Sequence, residues 1–538
     1  MDLSKWQIIC LPKEVCNLYS LQTLILRSCR ELVELPDLLG NLKKLRYLDL
    51  NGSGIVRLPT TTNGLKNLRH LDIGGTKISE MPPQLGQLTK LVVLTDFFIG
   101  EGKNDSIAEL GPLEHLRGEL CIWNHENVVD TSHAIAANLK GKRYIEKLKL
   151  TWSKNDGQGR SLSEQILEQL RPTNYLKALE VHNYPGARFP NWLGEHCFSK
   201  VTSLYLRGGR HCSVLPALGQ LERLKELKIE YFDSIVRIGP EFYGTYPSNK
   251  KSFPSLEKLT FSHMPQLQQL IPPPILDDDD GQGRAFPLLQ KLLMEHCPVL
   301  ESVLSILQYY PPPSLTLLES GSNKIPRGSE FHFPDDDGVG TYFKLSKLST
   351  GLYRAEFEGY EPDLNILLNQ STVCLEQLAI RRCQDIRSIQ LGRCKNLSSL
   401  EVITCPLFES LVCGDEEGPL NSLQYLMIFN CNNFISFPGQ GLQAPNLRKL
   451  SLLFLDALEE LPKHMHSLLP SLTELTLYRC TKLRTFSEGG LPSSLQYLEL
   501  VVGCHKTLEE RCQENGEDWH KISNIPRIRT NYNAIKRR

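Results

Sequence analysis

No stretch of this chain approaches the ~20 consecutive apolar residues that would cross a bilayer as a helix. The first residues have neither the basic start nor the apolar core of a secretory leader, because Asp2, Lys5 and Gln7 break up the short apolar stretch there. Among 16 cysteines there is no C-x-x-C pair, and no Cys/His set has zinc spacing. Charge of one sign is also lacking. The net charge of −1 gives no global field to draw in nucleic acid or an anionic membrane. The phosphate-cradling loop GxxxxGK(S/T) is missing, as are GxSxG, HExxH and the kinase set. His211-Cys212 and Cys504-His505 put a thiol beside an imidazole, but sequence neighbours in a strand point apart and a nucleophile needs a placed base. These absences lead us to expect a reducing compartment, free thiols, sequons at Asn51, Asn369 and Asn396 without glycans, and no catalysis.

At 538 residues the chain exceeds the ~250–300 residues at which single cores stop growing, so a repeat array must be sought. One is present. Leu21/Leu24/Leu26 is followed by Leu45/Leu48/Leu50 and Leu68/Leu71/Ile73. The spacing of L-x-x-L-x-L returns through Ile145/Leu148/Leu150, Leu176/Leu179/Val181, Val201/Leu204/Leu206, Leu224/Leu227/Ile229, Leu256/Leu259/Phe261 and Leu289/Leu292/Met294. It is cleanest in Leu375/Leu378/Ile380, Leu397/Leu400/Val402, Leu423/Leu426/Ile428, Leu447/Leu450/Leu452, Leu472/Leu475/Leu477 and Leu495/Leu498/Leu500. This is the period of a leucine-rich repeat. Positions four and six lie two residues apart and so share one face of a short strand. A single repeat cannot bury them, and stacked neighbours can.

The expected fold is therefore an α/β solenoid. It is a leucine-rich-repeat horseshoe with a parallel β-sheet on the concave face and loops or short helical turns on the convex face. Leu35-Pro36, Leu58-Pro59, Met81-Pro82, Leu215-Pro216 and Leu461-Pro462 recur at one offset, where proline breaks the strand pattern. Regular repeats are expected over 1–100. Residues 101–300 continue them with an atypical repeat and helical insert at 101–172, and 301–374 is irregular and loop-rich. Regular repeats return over 375–503, and 504–538 forms a cap and basic tail. The acidic runs at 277–280 and 335–337 lack the Gly and Glu spacing of a calcium loop, so no metal is expected.

Six cysteines, Cys29, Cys297, Cys383, Cys405, Cys431 and Cys480, fall three residues after the last core position. There the chain turns off the strand, and a buried thiol serves as a small hydrophobe with a weak donor. Positions three, five and seven flank the core leucines and face the concave side. In the last five repeats position seven is Ile403, Phe429, Leu453, Tyr478 and Val501, an apolar column on a face that should be solvated. Tyr425 and Tyr497 stand beside it at position three, and Tyr425, Phe429, Tyr478 and Tyr497 are the expected aromatic anchors of a protein-binding site. Earlier repeats carry Arg27, Asn51, Gly74, Arg207, Glu230, Ser262, Glu295 and Arg381 at position seven, a polar surface.

Several stretches carry more than the fold. "LPKEVCNLYSLQTLILRSCRELVELPDLLGNLKKLRYLDL" from Leu11, "GLKNLRHLDIGGTKISEMPPQLGQLTKLVVLTDFFIG" from Gly64 and "RFPNWLGEHCFSKVTSLYLRGGRHCSVLPALGQLERLKELKI" from Arg188 resemble the repeat domain of plant coiled-coil nucleotide-binding leucine-rich-repeat disease-resistance proteins. "ELGPLEHLRGELCIWNHENV" from Glu109 and "LEERCQENGEDWHKISNIPRI" from Leu508 resemble segments that generic repeat proteins lack. The coiled-coil and nucleotide-binding domains of such receptors have no counterpart in this sequence, so ADP/ATP, which would bind the latter, is not expected as a cofactor. The resemblance implies a recognition module of innate immunity. Its partners would be a pathogen effector or guarded host protein and the nucleotide-binding domain of a receptor, in the cytoplasm. The basic tail of Arg527, Arg529, Lys536, Arg537 and Arg538 is equally a short solvated terminus or a nuclear signal. The rival reading is a substrate adaptor or other non-immune scaffold.

Overall fold

The computed structural model describes residues 1–102, 107–153, 160–195, 198–244, 252–271, 285–297, 317–321, 342–347, 353–358, 375–384, 386–391, 394–413, 418–486, 489–501, 504–513, 515–530 and 534–536. The acidic runs at 277–280 and 335–337 lie outside them. The chain forms two compact units, Met1–Leu289 and Gln290–Arg538.

In the first unit the leucines do what their spacing predicts. Strands Thr23–Ile25, Tyr47–Asp49, His70–Asp72 and Val93–Leu94 pair in parallel, each repeat beside the next. A second run pairs the same way: Asp96–Phe98, Arg117–Trp123, Tyr144–Thr151, Ala178–His182, Ser203–Arg207, Glu226–Glu230 and Lys258–Ser262. Core positions register with core positions, for example Leu204 with Leu227 and Leu259. All are buried to 1% exposure or less, because each is covered by the leucines of the repeats on either side.

The turn opposite the strand is short and proline-led. Pro12, Pro36 and Pro59 cap the 3-10 turns Lys13–Asn17, Asp37–Asn41 and Thr60–Gly64 with an extended φ/ψ that fits their fixed ring. Successive turns pack so closely that a Cβ at Gly40 would sit 2.1 Å from the Thr61 carbonyl oxygen. Two short helices, Thr131–Ala136 and Arg160–Gln169, interrupt the array, the first capped by the Asp130 carboxylate accepting from the Ser132 N–H.

Two buried polar side chains secure this helical region. Lys142, 1% exposed, donates from Nζ to the carbonyls of Leu110 (2.6 Å) and Leu113 (3.2 Å), which also accept the backbone N–H groups of Leu113 (3.0 Å) and Leu116 (3.5 Å). Burial brings its pKa down to about 8. The ring of His125 is fully buried, stacked on Trp152 at 4.6 Å, with Nδ1 3.0 Å from the Thr151 carbonyl, so that nitrogen carries the proton and donates. Burial lowers its pKa to about 4. The unfolded chain takes up a proton near 6.5 and the folded one only near 4. Stability is therefore lost as pH falls through that window, by roughly 3 kcal/mol at ~1.36 kcal/mol per unit. The melting temperature should fall between pH 6.5 and 4, and His125→Phe should flatten that part of the profile; an unchanged profile would discount the buried neutral ring.

The second unit contains a departure from a uniform parallel sheet. Strand Lys291–Glu295 pairs in parallel with Leu317–Gly321, but Leu317–Gly321 runs antiparallel to Tyr342–Lys347, which runs antiparallel to Tyr353–Glu358. A hairpin is thus inserted where no L-x-x-L-x-L match exists, inside the segment that sequence marks as irregular. Parallel order resumes with Leu375–Arg381, Ser399–Ile403, Tyr425–Phe429, Lys449–Leu453, Glu474–Tyr478, Tyr497–Val501 and Arg527–Thr530. The last of these lengthens the sheet by one strand beyond Tyr497–Val501.

Candidate protein-binding face

The strands of the second unit alternate half-buried and buried residues, with Leu400, Val402, Leu426, Ile428, Leu475 and Leu477 inward at 0% exposure. The intervening side chains form columns down the sheet. Register places Arg381 beside Ile403, then Phe429, Leu453, Tyr478 and Val501. Ile403, Phe429, Leu453 and Tyr478 are half-buried, neither core nor fully solvated. The side chain of Val501 lies outside the described ones. Position three stacks Ser399, Tyr425, Lys449, Glu474 and Tyr497. Tyr425 is half-buried, its hydroxyl 3.3 Å from Met427 Sδ, and burial raises its pKa. Tyr497 stands at the far end of the same column, between Glu474 and Arg527.

Sequence reasoning missed position eight. Its backbone is left-handed in repeat after repeat: Ser28, Gly52, Gly75, Asn124, Asn183, Gly208, Tyr231, His263, His296, Arg382, Thr404, Asn430, Phe454 and Arg479 all have positive φ. In this conformation the N–H points to the next repeat. That of Ser28 donates to Asn51 O (2.7 Å), of Thr404 to Phe429 O (2.7 Å), and of Phe454 to Tyr478 O (2.7 Å). Glycine and asparagine adopt φ > 0 readily, and their recurrence at this offset was the available signal. Phe454, bulky and at φ 56°, is the costly case. It lies on the apolar column, with its ring 5.3 Å from Phe429 and 4.8 Å from Tyr478, and the Arg479 guanidinium 5.2 Å above it.

The six turn cysteines follow one residue later. Cys29, Cys383, Cys405, Cys431 and Cys480 are fully buried, and Cys297 is half-buried. Each thiol lies within reach of strand-end carbonyls: Cys431 Sγ is 3.4 Å from Phe429 O, Cys405 3.5 Å from Ile403 O, Cys383 3.5 Å from Arg381 O, Cys297 3.6 Å from Glu295 O, Cys480 3.5 Å from Leu452 O, and Cys29 3.1 Å from Leu3 O. The hydrogen bond with Cys405 and burial both push the Cys431 thiol above its ordinary range.

The first unit presents different chemistry. Arg27 bridges the buried carboxylates of Asp49 (2.8 Å) and Asp72 (3.6 Å), and the Trp123 indole donates to Asp96 (2.8 Å). Tyr47 stacks on His70 at 4.1 Å. Further along, Lys147 joins Glu119 and Glu180, and Lys228 joins Glu230 at 2.7 Å. Attraction from His182 and Lys147 outweighs burial and holds the Glu180 carboxyl down at about 2. Among the described residues no group of His, Cys, Asp and Glu could hold a metal, and no helix is long and apolar enough to cross a membrane.

Three kinds of comparison bear on this arrangement. Residues 107–232 match the family model described as R13L1/DRL21 LRRs. A putative disease resistance RPP13-like protein 1 of Arabidopsis thaliana is 31% identical over 369 residues, which are 66% of this chain and 31% of that protein. A putative disease resistance protein RGA1 of Solanum bulbocastanum is 34% identical over 189 residues, 35% of this chain and 18% of its own length. The chain thus spans less than a third of either relative. Among solved structures, the LRR ectodomain of the plant membrane receptor kinase GASSHO1/SCHENGEN3 of Arabidopsis thaliana aligns over 92% of this chain and 66% of its own, at 14% identity and a TM-score of 0.36.

Proposed function

We propose that this chain, a leucine-rich-repeat relative of plant disease-resistance proteins, is a protein-recognition surface of plant innate immunity acting in the cytoplasm. Its C-terminal column meets a pathogen effector or a modified host protein, and its polar N-terminal face docks on the nucleotide-binding domain of a receptor. ADP or ATP would sit on that partner domain. One observation carries the reading. Ile403, Phe429, Leu453 and Tyr478 stand in register on a sheet face, only half-buried, where solvated residues would cost less. Aromatic anchors in such a place are the residues on which interfaces concentrate their energy.

The double variant Phe429→Ser/Tyr478→Ser tests it. A display screen against effectors and host proteins should give binders to the native chain that the variant loses, each aromatic contributing about 2 kcal/mol or more. Circular dichroism and melting should stay near native. A variant that unfolds would make the column core, and one that keeps every binder would move the site elsewhere.

A further inference from the structure

The partner's charge is written on the same face. Every acidic side chain on positions three and five from Ser399 onward is already paired: Glu401 with Arg381 at 3.1 Å, Glu474 with Lys449 at 3.2 Å, and Glu499 with Arg529 at 3.0 Å. At positions three to eight of these repeats two cations remain for which the described residues supply no carboxylate. Arg479 is exposed and held over the Phe454 ring, and Arg527 is exposed at the end of the position-three column beyond Tyr497. The chain as a whole carries −1, so this uncompensated positive charge is a local feature laid beside the apolar column.

Resting on the recognition reading above, the geometry points to an acidic, apolar-anchored polypeptide as the occupant: its apolar side chains seat on Phe429, Leu453 and Tyr478, and its carboxylates pair with Arg479 and Arg527. Arg479 is the stronger determinant. Stacking on Phe454 fixes the planar guanidinium, so less freedom is lost when a carboxylate binds it in bidentate fashion. A basic segment would meet like charge at Arg479 and Arg527, a cost that selects against wrong partners.

Two labelled peptides test this on the full chain by fluorescence anisotropy, one alternating Asp and Leu, the other Lys and Leu. The Asp/Leu peptide should bind at least about tenfold tighter. The difference should shrink as salt shortens the Debye length from ~30 Å to ~8 Å. Arg479→Glu should cost the Asp/Leu peptide about tenfold or more, while Arg479→Lys keeps part of the affinity but loses the bidentate geometry. Equal binding of both peptides, binding of neither, or indifference to Arg479→Glu overturns the inference. The serine double variant separates the two readings. If it abolishes binding of both peptides and charge makes no difference, only the acidic partner falls. If it leaves the Asp/Leu peptide bound, the column is not the site and both readings fall.

Discussion

Asp518→Ala should detach the C-terminal cap, at a cost of roughly 3–5 kcal/mol. The Asp518 side chain is 1% exposed and accepts from Arg511 Nε (2.8 Å), Lys521 Nζ (2.9 Å) and the Thr485 hydroxyl (3.3 Å). Thr485 belongs to the preceding repeat, so a single carboxylate joins the helical turn Trp519–Ile522 and the helix Lys506–Arg511 to the array. Removing it strands Lys521, 16% exposed, without a counter-charge and leaves Arg511 with Glu517 alone. Burial alone would raise this carboxyl, but the bonds from Arg511 and Lys521 carry it below the ordinary range. Its contribution is therefore complete at neutral pH and lost as the pH falls below ~3.9 and through the lowered value. Hydrogen exchange should speed up across Arg527–Thr530 in the variant, with Leu426 and Leu452 and their neighbours unchanged. Uniform exchange would show that the cap stands without Asp518.

Lys142→Met should be nearly as severe, about 3 kcal/mol. A side chain of similar length then removes two buried hydrogen bonds from a charged donor, about 1.5–3 kcal/mol each, and leaves the Leu110 and Leu113 carbonyls with their backbone donors alone. The lysine's lowered pKa adds a second signature. Its folded value near 8 lies below the unfolded 10.5, so the native chain gains stability as pH rises between them, and the methionine variant should lose that slope. Urea unfolding at pH 7.5 and at pH 10 measures both effects. A variant as stable as the native chain would mean that the backbone donors alone satisfy these carbonyls.

The repeats were legible because burial has to be periodic. Leu24, Leu48 and Leu71 can be covered only by each other, and their spacing therefore survives in the sequence. The apolar column was legible for the complementary reason, since Phe429 and Tyr478 break the polar rule for position seven. Phe454 and Arg479 were not. The left-handed backbone at position eight turns their side chains toward the column, and a search for alternating hydrophobicity does not test backbone handedness. The antiparallel hairpin at Tyr342–Lys347 and Tyr353–Glu358 was hidden too, because side chains alternate in the same way along either kind of strand.

The left-handed joint between repeats has one more consequence. At Ser28, Gly52, Thr404, Asn430 and Phe454 it links one repeat to the next by an N–H and a carbonyl, while leucines fill the interior, so in the C-terminal repeats these bonds do not depend on the side chains in the column at positions three and seven. Those positions behave as interchangeable type set in a fixed frame. A lineage can reset them repeat by repeat, arriving at a new reading surface in steps that each leave a foldable protein.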